Sequence, residues 1–303
     1  MKIARVLCPS DLSEASAHAA EWAVAVAGYY KAGVTALHVV RPILRVAPGL
    51  PVPSREKPIE ESETERVRRE LDAQFHSVPP VASGLEVVID IGQPVSRILE
   101  RAAGLPADLI VMGTHGTSGF EHLVLGSVTE KVLRRARCPV LTVPPRAYST
   151  SQLPFKHLLC AVDFSDASLA AATAAMALAG ESGAILTLLH VLEWPWEEPP
   201  PPAIEELPVE QGVALAEFRR YSEESAKKRL DSLVPDSIPS PEVVTRLRSG
   251  KPYVQILQAA AEERTDVIVI GVHGRNPVDV ALFGSTTNQV VRQATCPVLT
   301  LRQ

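Results

Sequence analysis

The stretch ADLIVMGTHG, residues 107–116, joins an apolar run to a loop that contains two glycines, and the chain repeats this pattern as TDVIVIGVHG at residues 265–274. Neither apolar run alternates with polar residues. An unbroken apolar run of this length is typical of a strand buried on both faces of a parallel sheet. We therefore expect each stretch to form a central strand whose carboxyl end opens into the glycine loop.

Two further pairs of segments match outward from these stretches. VLCPSDLSEAS at residues 6–16 matches LLCAVDFSDAS at residues 158–168, and CPVLTVPP after residue 137 matches CPVLTLRQ after residue 295. The distance along the chain between the two members of each pair is far too long for a solenoid repeat, whose period is roughly 20–50 residues. The sequence therefore predicts two copies of one domain.

We place the two domains at residues 1–146 and 154–303. The seam between them, PPRAYSTSQLPF at residues 144–155, is rich in proline and small polar residues, as linkers are. Each copy alternates strand-like and helix-like segments, which predicts a parallel sheet with helices on both faces. The expected fold class is α/β, with two tandem open parallel-sheet domains of the Rossmann-like α/β sandwich type and five strands in each.

The glycines recur with one spacing: glycine, two residues, glycine, nine residues, then Gly-Ser. Glycine lets backbone N–H groups approach an anion without an intervening side chain, and a helix that begins at the Gly-Ser pair offers free N–H groups. An isolated GxxG would mean little, but two identical long patterns after two apolar strands predict a phosphate site in each copy.

With this glycine motif and an aspartate after the first strand of both halves, the chain resembles a tandem universal stress protein over nearly its whole length. The resemblance implies an adenine nucleotide alpha hydrolase-like fold that binds ATP, with Mg²⁺ on the phosphates. It also implies that the last strand of each half pairs with its equivalent across a pseudo-two-fold axis, so that one chain forms an intramolecular pseudo-dimer. Association of two chains into a homodimer stays open.

The resemblance assigns the aspartate and the main chain after the second strand to the ribose and adenine, and the glycine motif to the phosphates. Carried over by position, the first half offers Pro9, Asp11, Val39, Met112, Gly113, Gly116, Gly126, Ser127 and Val128. The second half offers Asp163, Val191, Ile270, Gly271, Gly274, Gly284, Ser285 and Thr286. Ala161 replaces Pro9 in the second half, and a proline enters its loop, so we expect the first site to be the better preserved.

Several of these residues have a purely structural alternative. Ser127 begins SVTE, a capping-box pattern in which its hydroxyl would serve the helix and Glu130 would reach back to it. Asp11 and Asp163 could cap the next helix or form an Asx turn, although Ser13 and Ser165 are rival caps. His115 and His273 occupy one slot in the two loops, and we assign them no catalytic role.

Motifs of several nucleotide enzymes are missing from the sequence. It lacks the P-loop GxxxxGK[ST], HExxH and the G-x-S-x-G elbow, and no residue is an evident base for attack on a γ-phosphate. We therefore expect a regulatory nucleotide-responsive module that binds ATP far better than it turns it over. The alternatives are a slow ATPase or phosphotransferase, and an interaction protein whose nucleotide sites are empty.

Composition and charge argue against several classes of binding partner. The formal net charge of −5 and the absence of a basic stretch argue against nucleic acid as a partner. No apolar run is long enough for a membrane span, and we expect a cytoplasmic protein without a membrane partner. The four cysteines form no CxxC pair and lie in or beside apolar runs, which predicts buried thiols and no metal site: Cys8, Cys138, Cys160 and Cys296.

Overall fold

The computed structural model describes most of the chain in eight stretches and divides it into two compact units, Lys2–Leu153 and Pro154–Gln303. The described stretches are residues 2–41, 61–76, 84–114, 125–145, 153–193, 209–234, 242–272 and 284–302.

The first unit is a five-stranded parallel sheet with the strand order β3-β2-β1-β4-β5. Its helices pack in pairs, the first with the second and the third with the fourth. Its elements are β1 (Arg5–Ser10), α1 (Glu14–Tyr30), β2 (Gly33–Val40), α2 (Glu61–His76), β3 (Leu85–Ile91), α3 (Pro94–Gly104), β4 (Leu109–Gly113), α4 (Ser127–Arg135) and β5 (Val140–Val143).

The second unit repeats this sheet with the order β8-β7-β6-β9-β10, again all parallel. The alternation of strands and helices expected from the sequence is thereby confirmed, with five strands in each described unit. Its elements are β6 (His157–Ala161), α5 (Asp166–Ser182), β7 (Ile185–Leu192), α6 (Val209–Asp231), β8 (Val243–Ser249), α7 (Pro252–Glu262), β9 (Val267–Gly271), α8 (Ser285–Gln293) and β10 (Val298–Leu301).

Burial follows strand position in both sheets. Every residue of β4, β5, β9 and β10 is buried, whereas the edge strands β3 and β8 contain no buried residue. Helices α1 and α5 are rich in alanine, and their buried faces consist mainly of small side chains. Small side chains let these helices approach the strands closely, and each helix begins a few residues after the carboxyl end of the strand before it.

An aspartate fixes the start of the central strand in each unit. The Oδ2 atom of Asp108 accepts hydrogen bonds from the amides of Ala4 and Arg5, each at 2.9 Å. Asp266 repeats this contact with the amides of Lys156 and His157, at 2.7 and 3.0 Å. We call these two groups of contacts the aspartate clamps. They tie β1 to the residue before β4 and β6 to the residue before β9, more than a hundred positions along the chain.

The buried thiols agree with the sequence prediction for three of the four cysteines. Cys8 and Cys160 have no exposed surface, Cys296 is buried, and Cys138 is half-buried. Among the helices of the described stretches, none combines the length and the apolar character that crossing a bilayer requires.

Candidate functional site

The candidate site lies where the strand order of each sheet reverses. The chain moves from β1 outward to β2 and β3, and then returns to β4 on the other side of β1. In open α/β sheets, ligands bind in the crevice beyond the carboxyl ends of the strands at such a switch point. Asp11 follows β1 and Gly113 ends β4, so both lie at this crevice, as Asp163 and Gly271 do in the second unit.

The aspartate after the central strand forms a tight turn and does not cap the helix. Oδ1 of Asp11 accepts hydrogen bonds from the amide and the hydroxyl of Ser13, at 3.2 and 2.5 Å. The N-cap of α1 is Ser13, whose Oγ accepts from the amide of Ser16. Of the structural alternatives for Asp11, the Asx turn is therefore confirmed, while the helix cap is wrong because serine takes that position.

The second unit reproduces the turn. Oδ1 of Asp163 accepts from the amide and hydroxyl of Ser165, at 2.9 and 2.6 Å, and Ser165 is the N-cap of α5. The residue between aspartate and serine has a left-handed backbone in both units, with φ of 65° at Leu12 and 64° at Phe164. A residue other than glycine rarely adopts this backbone conformation without an energetic cost. Because the same strained turn occurs at both crevices, the surrounding structure must hold it in place in each unit.

The helix beyond the glycine loop begins at Ser127 in the first unit. Gly126 is its N-cap, and the amide of Gly126 donates to the carbonyl of Thr114 at 2.8 Å. Gly284 repeats this with the carbonyl of Val272 at 3.1 Å, and α8 begins at Ser285. The amides of these two glycines are therefore engaged, and the amides available to an anion are those of the first helical residues, which have no intrahelical acceptor.

The capping-box interpretation of SVTE is wrong. Ser127 is the first helical residue and is exposed, no side chain caps α4, and Glu130 instead pairs with Arg134 at 2.7 Å. The cap position belongs to Gly126, whose φ of −56° lies in a region open to any residue. Positive φ is thus not the reason for this glycine. The Ser127 hydroxyl is not committed to the helix start, and the charge of Glu130 is balanced by arginine.

Gly271 has a packing role that the sequence did not suggest. A β-carbon at this position would lie 2.9 Å from the backbone carbon of Ala167 and 3.0 Å from the amide nitrogen of Ser168. Only glycine allows the first turn of α5 to approach the end of β9 this closely. The glycine that begins the motif therefore brings a helix N-terminus to the crevice.

The other site residues expected from the sequence lie at the same edge of each sheet. Pro9 is buried on β1, Val39 is half-buried near the end of β2, and Met112 is buried on β4. In the second unit Val191 is half-buried and Ile270 is 5% exposed. The N-terminal residues of the last helices, Val128 and Thr286, are half-buried. The predicted Gly116 and Gly274, with His115 and His273, lie outside the described residues.

The sequence interpretation missed a polar network beside Asp11. Oγ of Ser10 lies 3.0 Å from Oγ of Ser16, donates to Oε1 of Gln74 at 2.7 Å, and accepts from the amide of Leu12 at 3.0 Å. His38 donates from Nδ1 to the carbonyl of Ser10 at 2.8 Å. Gln74 comes from α2, and nothing in the linear sequence indicates that this helix ends beside the first strand.

At the same place the second unit has contacts between rings and a cation, which the sequence interpretation also missed. The ring of Phe164 lies 4.6 Å from that of His190, and the Arg229 guanidinium lies over the Phe164 ring at 4.1 Å from its centroid. His190 is 5% exposed and donates from Nδ1 to the carbonyl of Val162 at 2.6 Å. The one signal in the sequence is the change of Ser10 and Leu12 to Val162 and Phe164.

Comparisons with known proteins agree with this duplicated architecture. The universal stress protein family matches residues 2–144 and again residues 154–302. A universal stress protein of Mycolicibacterium smegmatis is 28% identical over 303 residues, which cover 98% of this chain and 96% of the relative. A shorter one from Methanocaldococcus jannaschii is 36% identical over 145 residues, which cover 46% of this chain and 81% of the relative.

A solved structure extends the comparison to the fold. The crystal structure of a universal stress protein from Archaeoglobus fulgidus has a TM-score of 0.64 and 23% sequence identity, and the match covers 99% of this chain and 96% of that one. Both halves of the chain match the family, and the fold of the whole chain is shared. The chain is therefore a member of the universal stress protein family with two tandem copies of the family's domain.

Proposed function

We propose that the chain binds ATP at the carboxyl edge of the sheet in each of its two domains, residues 1–146 and 154–303, and serves as a nucleotide-responsive regulatory module in a stress response. One observation carries this proposal. In both units an Asx turn at the end of the central strand lies across the strand-order switch point from a strand whose last residue is glycine, and a glycine-capped helix follows that strand.

The two sides of the crevice suit the two ends of a nucleotide. A carboxylate has only acceptors, which suits the two hydroxyl donors of a ribose, and the turn leaves each aspartate at least partly exposed. A helix N-terminus offers amides and the positive end of the helix dipole to phosphates. The amides of Ser127 and Val128 serve this role in the first domain, and those of Ser285 and Thr286 in the second.

The remaining contacts follow from the family resemblance. The main chain at Val39 and Val191 meets the adenine, and the glycine loops that include Gly116 and Gly274 enclose the phosphates. Among the described residues there is no group of three or more His, Cys, Asp or Glu side chains that could hold a metal ion. A bound Mg²⁺ would therefore be held mainly by the phosphates, as is usual for this ion with nucleotides.

Calorimetric titration with ATP and Mg²⁺ tests the proposal. We expect binding with up to two sites per chain, and we expect Asp11→Ala and Asp163→Ala each to weaken one of them. Loss of one good hydrogen bond to a charged group costs about 1.5–3 kcal/mol, or roughly a 10- to 150-fold loss of affinity at that site. Glu14→Ala is the matched control, because it removes an exposed carboxylate from the first turn of α1 without touching the Asx turn.

Two results would contradict the proposal. Purified protein that carries no nucleotide by mass spectrometry and shows no calorimetric binding at millimolar ATP would favour an interaction protein with empty sites. Hydrolysis of labelled ATP at a steady rate that Asp11→Ala or Asp163→Ala abolishes would favour an enzyme over a regulatory module.

A further inference from the structure

The two candidate sites differ in the side chain that α2 and α6 bring to the aspartate turn. Gln74 and Arg229 each lie two positions before the last residue of their helices, which end at His76 and Asp231. Both side chains reach the turn that follows the central strand of their own unit. They are thus equivalent in place and different in chemistry, since one is a neutral amide and the other a cation.

In the first unit, Gln74 is bonded directly to the turn. Its Oε1 accepts from the Ser10 hydroxyl at 2.7 Å, and its Nε2 donates to the carbonyl of Ser13 at 3.4 Å. The Ser10 hydroxyl in turn accepts the amide of Leu12, the residue with the left-handed backbone. Hydrogen bonds from α2 and β1 therefore hold the first turn.

In the second unit the hydrogen bonds made by the Ser10 hydroxyl have no counterpart, because Val162 stands in place of Ser10 and has no hydroxyl. The left-handed residue is Phe164, whose ring contacts both the imidazole of His190 and the guanidinium of Arg229. The imidazole lies 4.6 Å from the Phe164 ring with the two rings inclined by 46°, and the guanidinium carbon lies 4.1 Å from the ring centroid, within the range of a cation–π contact. The imidazole itself is anchored by its bond to the carbonyl of Val162.

We propose that Phe164 and Arg229 are positioning residues of the second nucleotide site. The cation on the ring holds Phe164 in its left-handed conformation and thereby keeps Asp163 at the crevice, as the amide of Gln74 does for Asp11. ATP binding at the second site thus depends on an arginine of α6, whereas binding at the first site does not. This inference rests on the proposed function, since it concerns how one of the two sites is held ready for the nucleotide.

The test measures ATP affinity by calorimetry in the full-length chain with the first site disabled by Asp11→Ala. In that background we expect Arg229→Gln to weaken ATP binding by about two- to fivefold, the value of a cation–π contact at a partly exposed site. Arg229→Lys keeps a cation over the ring and is expected to restore most of the affinity. Phe164→Leu introduces the residue of the first half and should weaken binding to a similar degree, with no further loss when it is combined with Arg229→Gln.

The reciprocal background separates positioning from general damage to the fold. With the second site disabled by Asp163→Ala, Arg229→Gln should leave ATP affinity at the first site unchanged. If Arg229→Gln leaves second-site affinity unchanged while Asp163→Ala weakens it, or if Arg229→Lys is as weak as Arg229→Gln, the inference is wrong and the proposed function stands. If neither aspartate variant weakens ATP binding, the proposed function fails and the inference fails with it.

Discussion

At Gly271 the backbone of a helix occupies the space that any side chain would need. Gly271→Ala should destabilise the protein by about 1–3 kcal/mol, the usual cost of overpacking, because the atoms that its β-carbon meets belong to the α5 backbone and cannot rotate away. Urea unfolding would measure this change. Gly28→Ala in α1 is the matched control: its β-carbon meets nothing within 4 Å, so the substitution should leave stability unchanged or raise it by about 0.5–1 kcal/mol.

Two buried threonines of the second unit should respond to valine in opposite ways. Thr265 is 2% exposed, and its hydroxyl has no hydrogen-bond partner among the described residues. Thr287 is 4% exposed, and its hydroxyl donates to the carbonyl of Gly271 at 2.8 Å. Thr265→Val removes an unsatisfied polar group and should stabilise the protein by about 1–3 kcal/mol, whereas Thr287→Val should destabilise it by about 0.5–1.5 kcal/mol. Equal shifts in the urea midpoint would contradict this assignment.

Individual residues also show where sequence reasoning reached its limit. The Asp-x-Ser turn could be predicted, because its hydrogen bonds join residues two positions apart. The N-cap of α4 could not be predicted, because the sequence offers both Ser127 and Gly126 for that position. The hydrogen bond from the Gly126 amide to the Thr114 carbonyl, which favours glycine, is visible only in the structure. Gln74 and Arg229 could not be placed at all, since their contacts with the turn span more than sixty positions of the chain.

At the scale of elements, three buried cysteines on or next to strands make the stability of the fold depend on pH. Burial raises the pKa of Cys8 on β1 and Cys160 on β6 far above the usual value, and it raises the pKa of Cys296, before β10, to about 12. The folded state therefore keeps these protons where the unfolded chain, with a thiol pKa near 9.0, releases them. The contribution of these buried thiols to the free energy of unfolding is therefore fully present below pH 9, and it falls as the pH rises above 9.

Cys296→Ala tests this linkage. Between pH 9 and about 12, one thiol of this kind contributes a fall of about 1.4 kcal/mol per pH unit to the free energy of unfolding. We expect the variant to be less stable at pH 7, because it leaves a small cavity, and to lose stability less steeply above pH 9. Urea unfolding at a series of pH values measures both slopes, and parallel slopes for the two proteins would contradict the prediction.

The elements themselves could be predicted well from the sequence. The apolar runs within residues 107–116 and 265–274 predicted the strands that the structure contains as β4 and β9. Helix α2 is rich in charged residues, but Val67, Leu71 and Phe75 bury one of its faces. These three positions lie four residues apart, and the charged residues between them hide that spacing in a simple scan of composition.

At the scale of the whole molecule, duplication was evident from the sequence because the two halves keep matching motifs in matching order. These matching motifs do not reveal that the two halves differ in the residues around the aspartate turn. Hydrogen bonds from Gln74 reach the turn of the first unit and the cation of Arg229 reaches that of the second, although strands and helices follow the same order in both units. The two halves therefore offer chemically different settings for one proposed ligand.

The intramolecular pseudo-dimer implied by the family resemblance is a prediction for this scale. If the last strands of the two halves pair with each other, neither leaves an open edge for a second chain, and we expect a monomer of 32.6 kDa in solution. Sedimentation velocity over a range of micromolar concentrations, with and without ATP, would check this. A concentration-dependent shift to twice that mass would show that chains associate with one another.

The aspartate clamps have a consequence for synthesis on the ribosome. Asp108 accepts hydrogen bonds from the amides of Ala4 and Arg5, which lie 104 and 103 positions before it, and β4, which pairs with one side of β1, follows it. At about 5–20 residues per second, roughly 5–20 seconds pass between translation of the first strand and translation of its clamp. During that interval the nascent chain displays an apolar strand with one open edge, and the same delay recurs for β6. The chain therefore exposes such a strand twice during a single round of translation, once before the clamp of each half closes.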